Sequence, residues 1–124
     1  MKQLLLIGLG GFIGSIGRYW VSKLNLSWHF LEIPMGTLTV NIVGSFIIGL
    51  LVGISAKSDL ISSDLRLFLM VGFCGGFTTF SSFTNESMML IQNGQLLTVL
   101  LYTAASIFLG LIAVYLGYSL TNLL

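Results

Sequence analysis

Four long apolar segments follow one another along the chain, and they constrain its fold more than any other feature. They run over residues 4–24, 33–56, 65–91 and 96–120, with short polar connections between them. Each has the roughly 20 residues that a helix needs to cross a bilayer. The runs are continuous and lack the alternation typical of transmembrane strands. The sequence therefore predicts an all-α membrane protein, with residues 1–124 forming one unit of four transmembrane helices.

The charge content fits this class of protein. Only 7% of the residues are charged and the net charge is +1, whereas soluble domains carry about a quarter charged residues. We therefore expect the lipid bilayer to surround the chain, and we expect no nucleic-acid partner. The single cysteine, Cys74, lies inside the third segment. It has no intrachain disulfide partner, and we expect it to pack as a small apolar residue.

The basic residues give a weak orientation signal. Lys2, Lys57 and Arg66 are predicted at one membrane face, and Lys23 at the other, with Arg18 nearby inside the first segment. Positive charge marks the cytoplasmic face of membrane proteins, and this bias is small. Either the imbalance is a small-number effect in a short chain, or the chain inserts in both orientations and pairs with an inverted copy of itself.

Pairs of glycines four residues apart occur in three of the segments and favour close helix packing. The pairs are Gly10 and Gly14, Gly49 and Gly53, and Gly72 and Gly76. Since four helices scarcely enclose a water-lined path, we expect any conduit to lie between two copies of the chain.

The third segment contains the unusual stretch GFCGGFTTFSSF at residues 72–83. Glycine costs a helix interior about 1 kcal/mol relative to alanine, so Gly75 and Gly76, with Thr78 and Thr79, predict a helix broken near its middle. Carbonyls freed by a break can bind a hard cation such as Na⁺. The alternative is an unbroken helix in which the glycines serve tight packing.

Phe80 and Phe83 follow the predicted break and share one helix face. Phenylalanine in a membrane helix usually contacts lipid or core. Beside a polar break, the positive edges of the rings could instead stabilise a small anion.

Polar side chains recur every four residues on two other segments, so each set lines one helix face. The sets are Thr37, Asn41 and Ser45 in the second segment, and Thr98, Tyr102 and Ser106 in the fourth. These side chains either form hydrogen bonds between helices or act as hydrogen-bond donors along the path of a small ion.

Two charged residues lie within the spans, where burial is costly and function is a default hypothesis. Arg18 either reaches the headgroups as an anchor or attracts anions into a vestibule. Glu86 either accepts hydrogen bonds in helix packing or gates a pore mouth, and it would be the switch of a proton-coupled exporter. The sequence contains no catalytic constellation and no cluster of metal-ligating side chains, so we expect the protein not to be an enzyme.

Three stretches together resemble the CrcB/Fluc family of fluoride channels along essentially the whole chain. They are GGFIGSIGRYW, PMGTLTVNIVGSFIIG and GFCGGFTTFSSFTNE. The resemblance implies an antiparallel, dual-topology homodimer with two fluoride pores and a structural Na⁺ at its centre. It further implies passive F⁻ export across a bacterial inner membrane, which lowers cytoplasmic fluoride.

The resemblance also implies roles for individual residues. Backbone carbonyls of Gly75 and Thr78 from both subunits would hold the Na⁺. Pore residues would be Phe80 and Phe83, with Asn41 orienting them and donating to the ion. The other matching positions are Thr37, Tyr102 and Ser106 in a polar track, Arg18 in the vestibule, and Glu86 as the acid that follows the second phenylalanine. Gly110 stands where the track would take its next step, so a hydroxyl is missing there.

Two other functions remain open from the residues. A small dual-topology, proton-coupled exporter of cationic compounds has a similar size, but it needs an acid in its first helix, where this chain has Arg18. A membrane assembly subunit without transport would tolerate other large apolar residues in place of Phe80 and Phe83.

Overall fold

The computed structural model describes residues 1–23, 32–57 and 59–123. In these residues the protein is all-helical, and four helices are long and apolar enough to cross a membrane. Their bounds are Lys2–Lys23, Met35–Lys57, Ser63–Gln92 and Leu96–Leu120. The prediction of four spanning helices is confirmed. The sequence also predicts an interfacial position for Trp28 and His29, and both lie outside the described residues.

The third span is interrupted, as predicted. Its first part is helical over residues 63–77, with π-helical geometry over Leu67–Cys74. Its second part is the helix Phe80–Gln92. We call these the N half and the C half of the third span. Ser62 caps the N half by accepting a hydrogen bond from the Leu65 N–H at 3.2 Å, which satisfies one free amide at the helix start.

The first helix packs against the N half through backbone contact at glycines. A Cβ atom built on Gly10 would lie 2.3 Å from the Phe68 carbonyl oxygen, and one on Gly14 would lie 2.2 Å from that of Phe73. Side chains at these positions would therefore collide with backbone. The prediction that Gly10 and Gly14 permit close helix packing is confirmed.

The second and fourth helices form the other tightly packed pair. A Cβ on Gly49 would lie 2.2 Å from the Val114 carbonyl oxygen, and one on Gly117 would lie 2.2 Å from that of Phe46. Ser45, earlier in the second helix, faces Gly110, earlier in the fourth. Farther along, Gly53 faces Thr121. From the first of these contacts to the last, both residue numbers rise, so the two helices run parallel to each other.

Polar contacts at the helix ends fix which termini share a membrane face. Lys2 pairs with Asp64 at 2.5 Å, and Lys57 donates to the Thr121 carbonyl oxygen at 2.7 Å. The opposite face joins Gln95 to Glu32 through a side-chain hydrogen bond. These contacts agree with an up-and-down order of four spans.

Candidate functional site

The interruption of the third span consists of two extended residues. Thr78 has φ −82° and ψ 160°, and Thr79 has φ −153° and ψ 122°. Gly75 is still helical, with φ −62° and ψ −38°. We had expected the paired glycines to form part of the break, and this was wrong in detail. Gly76 instead contacts the first helix, since a Cβ there would lie 2.5 Å from the Gly11 carbonyl oxygen.

Asn41 of the second helix holds the interruption in place. Its amide nitrogen donates to the Thr79 carbonyl oxygen at 3.0 Å, and its amide oxygen accepts from the Thr79 N–H at 2.8 Å. Thr79 is buried, and buried backbone groups in a membrane must find partners within the protein. The Asn41 side chain therefore pairs with both backbone groups of Thr79, as another peptide group would, because Thr79 is not part of a helix.

Hydroxyl groups make further hydrogen bonds on both sides of the interruption. We call Thr78, Thr79 and these contacts the joint. The Thr79 hydroxyl accepts from the Ser82 N–H at 3.2 Å and so caps the C half. Both the N–H and the hydroxyl of Thr78 donate to the Cys74 carbonyl oxygen, at 3.0 and 2.9 Å. Cys74 itself is buried, as expected. The two threonines thus supply partners for one amide at the start of the C half and one carbonyl at the end of the N half.

The two carbonyls predicted to bind a cation lie on either side of the last N-half turn. The Thr79 N–H, which would bond the Gly75 carbonyl in a regular helix, is directed to Asn41. A Cβ on Gly75 would meet no described heavy atom within 4 Å, so this side of the N half is open. The Thr78 carbonyl accepts from the Arg18 guanidinium at 3.4 Å. Arg18 therefore points to the interruption, and its role as an anion-attracting charge stays a prediction.

Three aromatic rings follow one another beyond the interruption. The Phe80 and Phe83 ring centroids are 5.7 Å apart, and Phe83 meets Tyr102 edge to face with centroids 4.9 Å apart. Phe80 is 76% exposed, whereas Tyr102 is fully buried at 0%. The aromatic row thus passes from the open surface of the subunit into the contact between the C half and the fourth helix.

Glu86 joins three spans through its carboxylate. One oxygen accepts from the Thr37 hydroxyl at 2.5 Å, and the other accepts from the Tyr102 hydroxyl at 2.7 Å. Hydrogen bonds to a charged acceptor are among the stronger ones in proteins. These two hydroxyls are among those predicted to donate along an ion path. Because both are directed to Glu86 here, their donation to an ion stays a prediction.

A cavity of about 420 Å³ opens beside the interruption. Four of the predicted site residues line it, namely Asn41, Gly75, Thr78 and Phe80. Glu86, Thr37, Phe83 and Tyr102 form a second group, which the Phe80–Phe83 contact connects to the cavity. Ser106 sits next to this second group and donates to the Tyr102 carbonyl oxygen at 2.7 Å.

The sequence reasoning missed Thr79 as the residue on which the joint depends. A signal for it was present, because Thr79 precedes Ser82 by three residues and such hydroxyls commonly cap helix starts. Its pairing with Asn41 had no local signal, since the two residues belong to different helices.

Comparison with known proteins shows the family of the chain. Residues 5–118 match the family model described as "CrcB-like protein, Camphor Resistance (CrcB)". A protein of Azobacteroides pseudotrichonymphae, named fluoride-specific ion channel FluC, is 45% identical over 122 residues, covering 98% of each chain. A protein of the same name from Methylobacillus flagellatus is 41% identical over 127 residues, covering 99% of this chain and 97% of the relative.

The names of these relatives and the four spans show to which broad class of protein the chain belongs. Ion channels are not enzymes, and the expectation that the chain is not an enzyme is confirmed by this kinship. The protein is an integral membrane protein with several spans. Because the match extends over nearly its whole length, the chain belongs to the CrcB-like family.

Proposed function

We propose that the protein is a fluoride-selective channel that passively exports F⁻ and so lowers the fluoride concentration of the cytoplasm. The observation that carries the proposal is full-length similarity to relatives named fluoride-specific ion channel FluC. We place the channel in a bacterial inner membrane. The geometry of the interrupted third span supports the proposal, because a plain spanning helix would need no such joint.

The conducting form is an inverted homodimer with two pores at its interface. Three features of the subunit support this arrangement. The basic residues are nearly balanced between the two faces. The face of Gly75 is open, and the Phe80 ring is 76% exposed beside the cavity. A second copy would cover this region, and its inverted orientation would place two equivalent interruptions next to each other.

A structural Na⁺ at the centre of the dimer fits the groups present. The Gly75 carbonyl has lost its helical donor to Asn41, and carbonyl oxygens are suitable ligands for hard cations. Thr78 contributes a second carbonyl. Its contact with Arg18 is 3.4 Å long, near the limit for a hydrogen bond, so an oxygen lone pair remains. One subunit would supply two oxygens, and its copy two more.

Fluoride crosses by exchanging its water for groups of the protein. A small, strongly hydrated anion needs donors at every step, because burial of an unpaired charge is very costly. The edges of Phe80 and Phe83 provide a weakly positive wall, and Asn41 fixes that wall by holding Thr79. The hydroxyls of Thr37, Tyr102 and Ser106 provide donors farther along, and Arg18 attracts anions toward the entrance.

Fluoride efflux from liposomes tests the function. Purified protein should release F⁻ when the membrane potential is clamped with a K⁺ ionophore, and Cl⁻ release should be far slower. Phe80→Ile and Phe83→Ile should abolish most F⁻ release while leaving a folded protein. Efflux no faster than from empty liposomes would overturn the channel. Transport of a cationic dye driven by a proton gradient would instead support an exporter, and no transport at all would support an assembly subunit.

Assembly requires separate tests. Single-cysteine variants at residues 2 and 93, in a Cys74→Ala background, should each be labelled from both sides of the membrane if the topology is dual. Labelling of each site from one side only would overturn the inverted dimer. Replacement of Na⁺ by a larger cation should increase the monomer fraction on size exclusion. An unchanged dimer under those conditions would remove the Na⁺ site.

A further inference from the structure

The hydroxyl series on the fourth helix stops at Gly110. Thr98, Tyr102 and Ser106 are spaced one helical step of four residues apart, and the next step is Gly110. Four residues rise about 6 Å along a helix, so the gap leaves a stretch of that length without a donor from this helix. An anion moving along the series would lose a partner there.

Gly110 differs from the other glycines in this pair of helices. A Cβ on Gly110 would meet one described heavy atom within 4 Å, the Ser45 hydroxyl oxygen at 3.7 Å. At Gly49 and Gly117 the same atom would lie 2.2 Å from a backbone oxygen of the opposite helix. Close packing therefore requires glycine at those two positions, and it does not require glycine at Gly110.

Ser45 occupies the position opposite this gap. It follows Asn41 by one helical step on the second helix, and it lines the cavity that Asn41 and Phe80 also line. Its hydroxyl donates to the Asn41 carbonyl oxygen at 2.7 Å, just as the Ser106 hydroxyl donates to that of Tyr102 at 2.7 Å. The two serines are thus held in the same way on adjacent parallel helices, and either hydroxyl can rotate toward an ion.

We propose that Ser45 supplies from the second helix the hydroxyl that the fourth helix lacks at Gly110, and that it contacts the permeating anion at this step. The inference deepens the proposed fluoride channel and rests on it. It predicts that the two positions are interchangeable: a hydroxyl is needed on one of the two helices, and either helix can provide it.

Reciprocal substitution in the liposome assay tests the inference. Ser45→Ala should slow F⁻ efflux about three- to tenfold, the range that one neutral hydrogen bond provides. Ser45→Ala combined with Gly110→Ser should return efflux to within about twofold of the original protein. Ser45→Ala combined with Gly110→Ala adds the same Cβ without a hydroxyl, and it should stay slow. Gly8→Ser, on an open face of the first helix, controls for adding a hydroxyl elsewhere.

The outcomes separate this inference from the proposed function. Unchanged efflux in Ser45→Ala would overturn the role of Ser45 while leaving the channel intact, and so would equal rescue by serine and alanine at Gly110. Loss of efflux in the unsubstituted protein would overturn both. If Ser45→Ala does not purify as a dimer, Ser45→Cys keeps the volume with a weaker donor, and it should also be slow. Wild-type rates in Ser45→Cys would then contradict the inference.

Discussion

The two halves of the third span are held in different ways. The N half lies against the first helix through glycines, with contacts so close that no added carbon atom fits at Gly10 or Gly14. The C half makes hydrogen bonds to other spans, with Asn41 at its start and Glu86 farther along. It also packs Leu90 into a buried apolar cluster with the second and fourth helices. Backbone contact at glycines thus distinguishes the N half, and side-chain hydrogen bonds to other spans distinguish the C half, next to the proposed ion path.

The largest effect should come from filling the glycine contact of the N half. Gly14→Val would place carbon atoms 2.2 Å from the Phe73 carbonyl oxygen. Since backbone cannot yield as a side chain does, we expect a loss of at least about 3 kcal/mol, seen as little folded protein on size exclusion. Gly8→Val, on the same helix with open space around it, should purify normally. Normal folding of Gly14→Val would show that this close contact does not hold the N half against the first helix.

Removal of the amide that holds the interruption should have the next largest effect. Asn41→Ala leaves both backbone groups of buried Thr79 without their partner, at a cost of about 2–4 kcal/mol. Thermal unfolding in detergent should show a lower midpoint, and F⁻ efflux should be lost. Asn85→Ala, an exposed amide in the C half, should change the midpoint little. Equal midpoints for the two variants would refute the peptide-like role of Asn41.

Removal of the hydroxyls that donate to Glu86 should lower the stability by an intermediate amount, and the two removals should not be independent. Thr37→Val and Tyr102→Phe each remove one donor to Glu86, and each should cost about 1–2 kcal/mol. Because both donors serve one carboxylate, the double variant should deviate from additivity by about 0.5 kcal/mol or more. Chemical denaturation of the four proteins measures this coupling. Strict additivity would show that the two hydroxyls act independently. Thr84→Val, an exposed hydroxyl on the same half, is the control.

The smallest effect on stability should come from Phe80. Its ring is 76% exposed, so Phe80→Ile should shift the unfolding free energy of the subunit by less than about 0.5 kcal/mol. Phe83→Ile removes the edge contact with Tyr102 and should cost about 1 kcal/mol. If Phe80→Ile instead lowers the stability more than Phe83→Ile does, contacts between subunits rather than within one subunit determine the measured stability.

The N half was the more predictable of the two from sequence. Its length, its apolar composition and the spacing of Gly72 and Gly76 all follow from local rules of helix packing in membranes. The position of the interruption was predicted less well, because glycine is a weak helix residue and yet Gly75 and Gly76 remain helical. What ends the helix is a contact with Asn41, far away in the chain.

The side-chain partners of the C half were also not predictable. Stripes on the second and fourth segments indicated the faces on which Thr37 and Tyr102 lie, since a four-residue spacing fixes a helix face. Their common acceptor, Glu86, depends on how three spans pack together. A single sequence contains no spacing rule for such a contact.

The pairing of Asn41 with Thr79 has a consequence for biosynthesis. Spans enter the membrane in the order in which the ribosome makes them, so the second helix is present before the third emerges. The N half has its docking surface, the first helix, and Thr79 meets Asn41 as soon as it arrives. Glu86, by contrast, has no hydrogen bond from Tyr102 until that residue, sixteen positions later in the chain, has been synthesised and inserted. Until the fourth helix is synthesised, the C half of a nascent chain lacks one of its anchors.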